Sequence, residues 1–143
     1  MENIDIAFSI PHTGYMKLVD TICSVEKGSG TFVAKLSQSK PYWDAEGNFC
    51  NHWLVEIMAQ GVASLFFCNK SEANEDPSVG FLLSIDQCRL TPGMDLQVDD
   101  QLVIKANLIH NFYPLGVYKA QVLFDGEEIA CAEMKFLDNR EEG

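Results

Sequence analysis

The chain has 143 residues, 47% of them hydrophobic, and a formal net charge of −11. That length and composition suit one domain with a sizeable core, spanning residues 1–143. The acidity argues against nucleic acid and anionic membrane surfaces as partners, no apolar run reaches the roughly 18 residues of a membrane span, and the acidic start from Met1 to Asp5 does not read as a signal peptide, so a cytoplasmic protein is expected.

In chain order, Tyr15 to Val25 is rich in Val, Ile and Leu, and Lys27-Gly28-Ser29-Gly30 is a turn signal. Thr31 to Leu36 then alternates as a strand, which predicts a hairpin. A loop with Pro41 and Asp44-Ala45-Glu46-Gly47-Asn48 leads to a helix, with Asn51 as its expected N-cap and an end near Cys68. Asn69 to Val79 is a polar connection. Strands are expected at Phe81–Leu90, Gln101–Ile109, Val117–Phe124 and Ile129–Leu137. Thr91-Pro92-Gly93 and Asn111 to Gly116 separate them, Asp125-Gly126 makes a hairpin turn, and Asp138 to Gly143 is expected to fray. The five cysteines show no metal or redox spacing, and their odd number argues against a complete set of disulfides; reduced thiols, no metal and no cofactor are expected.

The helix is the unusual element. Between Trp53 and Phe67 its polar side chains are Glu56, Gln60 and Ser64, spaced by four and so on one face; His52 extends that face by a turn. A carboxylate inside an apolar helix loses hydration at a cost of several kcal/mol unless it is paired or protonated. Such carboxylates are enriched at functional sites, although a satisfied core residue is the alternative. A helix apolar on nearly every side also needs cover on both sides. The expected architecture is α+β, an antiparallel sheet wrapped around one long central helix, with a homodimer or higher homo-oligomer supplying the remaining cover.

Several segments together resemble the hotdog-fold 3-hydroxyacyl-thioester dehydratases of bacterial fatty-acid synthesis. They are Ile10-Pro11-His12, Leu18-Val19-Asp20, Glu56-Ile57-Met58-Ala59-Gln60, Phe81-Leu82, Val98 to Leu102, and Asp125-Gly126 through Ala130-Cys131-Ala132-Glu133. The fatty-acid enzymes carry Gly-His-Phe-Pro-Gly before the helix. Here the corresponding stretch, Asp44 to Cys50, has no His and is most similar to a divergent dehydratase-like subgroup of aryl-polyene and related pathways. The resemblance implies a hotdog dimer acting on acyl chains carried as thioesters on acyl carrier protein, with Glu56 as the acid on the hydroxyl side.

Dehydration of a 3-hydroxyacyl thioester needs a base for the α-proton, donors for the enolate oxygen and an acid for the departing hydroxyl. Backbone donors of the helix N-terminus, near Asn51 to Leu54, suit the thioester oxygen. Desolvation would keep Glu56 protonated near neutrality. Gln60 would orient Glu56 or bind the hydroxyl, and Asn51 and Trp53 at the helix mouth complete the candidate substrate-contacting set; Trp53 also suits the core. His52 is the nearest substitute for the missing base, with a helix-cap or interface role as its alternative. His12 reads as structural and His110 as exposed. Cys50 near His52 offers a rival acyl-transfer nucleophile. Other readings are a thioesterase on the same fold, with Glu56 activating water, and a non-catalytic acyl-binding subunit, favoured by the lost loop His. Docking an acidic carrier needs a local basic patch, for which Arg89, Lys105 and Lys119 are candidates.

Overall fold

The hairpins form where turn chemistry places them. Asp125 and Gly126 both adopt positive φ, 54° and 80°, the backbone that a two-residue turn needs to match the twist of its strands. The computed structural model describes residues 4–5, 17–72 and 79–139. Its strands are β1 (Ile4–Asp5), β2 (Thr21–Glu26), β3 (Ser29–Lys35), β4 (Val79–Leu90), β5 (Gln101–Phe112), β6 (Leu115–Phe124) and β7 (Glu127–Asn139), with one helix, α1 (Trp53–Glu72). They make a 7-stranded sheet in the order β1-β2-β3-β5-β6-β7-β4. Every pairing is antiparallel.

The helix lies on one face of this sheet, as expected. Leu54, Ile57, Met58, Val62 and Leu65 are fully buried there. The strands make room for it with a row of small residues: Gly30 pairs with Ala106, Ala106 with Ala120, and Ala120 with Ala132. Gly61 is the matching feature on the helix, because a Cβ there would lie 2.6 Å from Ile104 Cγ2. Larger side chains on the flanking rows, such as Phe32, Ile104 and Met134, close the core around the helix. None of the described helices is long and apolar enough to cross a membrane.

Three expectations change. The helix continues to Glu72 rather than ending near Cys68, because Asn69 has tertiary partners: its Oδ1 accepts the Gly28 N–H at 3.1 Å and its Nδ2 donates to the Glu26 carbonyl at 3.1 Å. Asn51 does not cap the helix with its side chain, which instead donates to the Thr91 carbonyl at 3.1 Å. Asp138 belongs to β7, not to a frayed tail; it is buried, and its N–H donates to the Pro114 carbonyl at 2.8 Å. His12 lies outside the described residues.

β4 is an edge strand, paired through β7 alone. Phe81, Leu82, Leu83 and Ile85 on it are exposed, and Leu83 keeps 55% of its surface. The helix is also incompletely covered: Trp53, Val55, Glu56 and Ala59 stay half-buried while the opposite side is sealed.

Candidate functional site

The loop before the helix is built around three aromatic rings. Tyr42 and Phe49 lie 5.1 Å apart, and Trp43 meets Phe49 edge-on at 5.8 Å. The Tyr42 hydroxyl accepts the Ser37 N–H at 2.7 Å, and Trp43 Nε1 donates to the Ser37 carbonyl at 2.9 Å. Asp44 organises the tip, its Oδ1 accepting the N–H groups of Glu46 at 2.9 Å and Asn48 at 2.8 Å. The Asn48 N–H holds the Asp44 carboxyl below its usual range. The Cys50 N–H then donates to the Tyr42 carbonyl at 2.7 Å and delivers the chain to the helix. A hydrogen-bonded turn therefore occupies Asp44 to Asn48.

At the helix mouth, the N–H groups of Trp53, Leu54 and Val55 bond back to the carbonyls of Cys50, Asn51 and His52. The expected donors of Trp53 and Leu54 are thus engaged. Those of Asn51 and His52, one step earlier, have no protein acceptor among the described residues. Trp53 is half-buried, and its ring lies 6.0 Å from that of His52, which is exposed.

Glu56 occupies the first turn of α1 and is half-buried, not sealed in the core. Gln60, fully buried one turn on, donates from Nε2 to Glu56 Oε1 at 3.1 Å. Its own Oε1 accepts the backbone N–H of Leu18 at 2.8 Å and of Val19 at 3.2 Å. Those two bonds fix which end of the amide faces Glu56, since only the oxygen accepts. Ser64, also fully buried, donates to the Gln60 carbonyl at 2.6 Å and is absorbed within the helix.

The polar stripe therefore divides. His52 and Glu56 lie toward the half-open side of the helix, with Val55 and Ala59, whereas Gln60 and Ser64 face inward. Sequence reasoning missed the backbone of Leu18 and Val19 as part of this constellation. The next residue anchors the same segment to the sheet: the Asp20 N–H donates to the Val33 carbonyl at 2.9 Å, and its Oδ2 accepts the Lys35 N–H at 2.8 Å. Cys50 is half-buried and free, and His110 is exposed and stacked with Phe112 at 5.9 Å.

A family model described as ApeP-like, ApeP dehydratase, matches residues 4–142. The chain belongs to the ApeP-like dehydratase family. Beyond this family it is similar to 3-hydroxyacyl-[acyl-carrier-protein] dehydratase FabZ of Nitrosospira multiformis, 25% identical over 94% of this chain and 94% of the relative. The FabZ protein of Oceanobacillus iheyensis is 26% identical over 89% of this chain and 91% of the relative. Among solved structures, the dehydratase heterocomplex ApeI:P from Xenorhabdus doucetiae superposes with a TM-score of 0.84 at 17% identity, covering 96% of this chain and 93% of that one. A hypothetical thioesterase protein with coenzyme A from Streptococcus pneumoniae gives 0.67 at 15% identity, covering 85% and 87%. These likenesses confirm the hotdog fold.

Proposed function

We propose that this chain dehydrates 3-hydroxyacyl thioesters on acyl carrier protein to trans-2-enoyl thioesters, in the cytoplasm, as a step of a lipid or polyketide-like pathway. The observation that carries the proposal is the placement of Glu56 in the first turn of α1, with its carboxyl held by a Gln60 whose amide orientation is fixed. Glu56 protonates the departing hydroxyl. The N–H groups of Asn51 and His52 receive the thioester oxygen as the enolate forms, aided by the positive end of the helix dipole. The His52 imidazole, in the turn just before α1 and four positions ahead of Glu56, takes the α-proton. Gln60 acts by orienting Glu56, because its oxygen already serves two backbone donors.

The open side of the helix and the apolar edge of β4 support a homodimer. An exposed, long, apolar edge strand is a template for pairing with another chain, and a second subunit there would complete the cover that Val55, Glu56 and Ala59 lack.

The deciding experiment supplies 3-hydroxyacyl- and enoyl-carrier thioesters and follows loss of water, gain of water and free-acid release by mass spectrometry. Interconversion of the two thioesters is expected, and Glu56→Gln and His52→Ala should each slow it by about 10²–10⁴-fold. Free acid as the main product would make the chain a thioesterase instead.

A second reading has its own support. The rigid Asp44 turn without a His suits a non-catalytic subunit whose partner carries the chemistry. Turnover that appears only with a second hotdog chain, and that survives Glu56→Ala, would establish it.

A further inference from the structure

The face of the sheet turned away from α1 carries a pattern that the candidate site does not use. Cross-strand partners share a face. At one end Phe112 pairs with Leu115, Leu115 with Leu137, and Leu137 with Phe81, an apolar row across four strands. Phe136, next to Leu137, packs on Phe66 of the helix at 4.9 Å, so the Leu137 row faces outward. Phe112 keeps 65% of its surface exposed and Phe81 46%.

The basic candidates gather on the same face. Arg89, Lys105, Lys119 and Lys135 stand on its rows, with Asp86, Glu128 and Glu133 as the carboxylates among them. The outward positions of β4 to β7 thus hold four of the chain's 10 Lys and Arg but only three of its 21 Asp and Glu. Copies of a chain with a net charge of −11 repel one another, and this is the surface on which a second copy meets that repulsion least. Lys119 and Glu133 are cross-strand partners near its centre, yet among the described residues no ion pair joins them.

The rows are also complementary to themselves. Turned end for end, the row Phe112, Leu115, Leu137, Phe81 sets aromatic on aromatic and leucine on leucine. The row Asn107, Lys119, Glu133, Asp86, turned the same way, sets Lys119 on Glu133. A single two-fold axis running along the strands, between β6 and β7, turns every row at once. It also leaves the strands of the two sheets aligned, as sheets packed face to face are to within about 30°.

We propose that the back of the sheet binds a second copy of this chain about that axis, with the Phe112 row meeting itself and Lys119 of each copy paired with Glu133 of the other. The contact is isologous. It is separate from the β4 edge, so the two contacts together join four chains. Lys105 and Arg89 approach each other only at the exposed margins, where salt screens their repulsion.

Lys119→Glu and Glu133→Lys are each compared with wild type by light scattering. Each variant sets like charges against each other at both crossings, and its assembly should have half the mass of the wild-type one. An equal mixture of the two variants should regain the full mass, because every pair that crosses the contact is then again of opposite charge. Within each chain of that mixture the two positions still carry like charges, so the recovery reports the contact alone. A wild type no heavier than the variants, or a mixture that stays at half mass, overturns the proposal. Where a charge variant loses its circular dichroism, Phe112→Ser takes its place: a halved mass upholds the contact and an undiminished one removes it. Neither charge position lies on β4, so failure of the edge pairing shows separately, as a wild type of two chains instead of four.

Discussion

Gln60 holds Glu56 from behind: its amide nitrogen lies 3.1 Å from Glu56 Oε1 while its oxygen is occupied by the N–H groups of Leu18 and Val19. The carboxyl and the segment before β2 are thus joined through one buried side chain. Two substitutions separate these roles. Gln60→Leu strips the acceptor from two backbone donors, at about 1–3 kcal/mol for each that stays buried without a partner. It should lower Tm by several degrees and reduce turnover. Gln60→Glu keeps an acceptor for both donors but sets a second carboxyl against Glu56. Like charge raises the pKa of the pair, so the alkaline limb of the pH–rate profile should move upward. An unchanged profile would mean that Gln60 does not act on Glu56.

Gly61 tests how closely the helix is seated. Replacing an interior glycine with alanine favours a helix by about 1 kcal/mol. Here the new methyl would meet Ile104 Cγ2, which is fully buried and has no room to yield. Overpacking of this kind costs about 1–3 kcal/mol, so the packing term wins and Gly61→Ala should destabilise. Chemical denaturation gives the sign directly.

The edge of β4 is the place to test assembly. Lysines on an edge strand oppose edge-to-edge pairing. If the proposed homodimer pairs through this edge, Phe81→Lys combined with Leu83→Lys should leave a monomer in light scattering with far-ultraviolet circular dichroism unchanged, because both side chains are exposed in the single chain. A variant that stays dimeric would move the interface elsewhere.

Tyr118 predicts the alkaline limit of the fold. Burial, and then the neighbouring Asp138 charge, push its phenol from 10.0 up to about 12. A group whose folded pKa is raised stabilises fully below its unfolded value, and that contribution is lost as pH rises through the folded one. Stability should therefore fall between pH 10 and about 12, with a shallower fall in Tyr118→Phe. Urea midpoints across that range, beside phenolate absorbance, check it.

Local patterns made much of the fold legible. The apolar helix, the Asp125-Gly126 turn and the alternating strands each announce themselves within a few residues. The site was legible only where it is local: Glu56 and Gln60 share a turn of helix, so their contact follows from spacing. The bonds from Gln60 to Leu18 and Val19 span 42 and 41 positions, and nothing in either segment alone signals the other. Asn51 shows the converse failure. Its residue type suits a cap, but the Thr91 carbonyl, 40 positions away, takes its side chain instead. Asp138 was misjudged because a polar residue near the end of a chain reads as exposed, whereas here the strand carries it inward.

The two asparagines at the ends of α1 have a joint effect. Asn51 fastens the start of the helix to the chain just beyond β4, and Asn69 fastens its last turns to the hairpin between β2 and β3, toward the opposite margin of the sheet. With Gly61 bearing on Ile104 near the middle, the helix is a beam pinned at both ends and resting on a central support. Such a beam resists turning about its own axis. The direction in which Glu56 points is consequently set by the whole width of the sheet, not by the first turn of the helix alone.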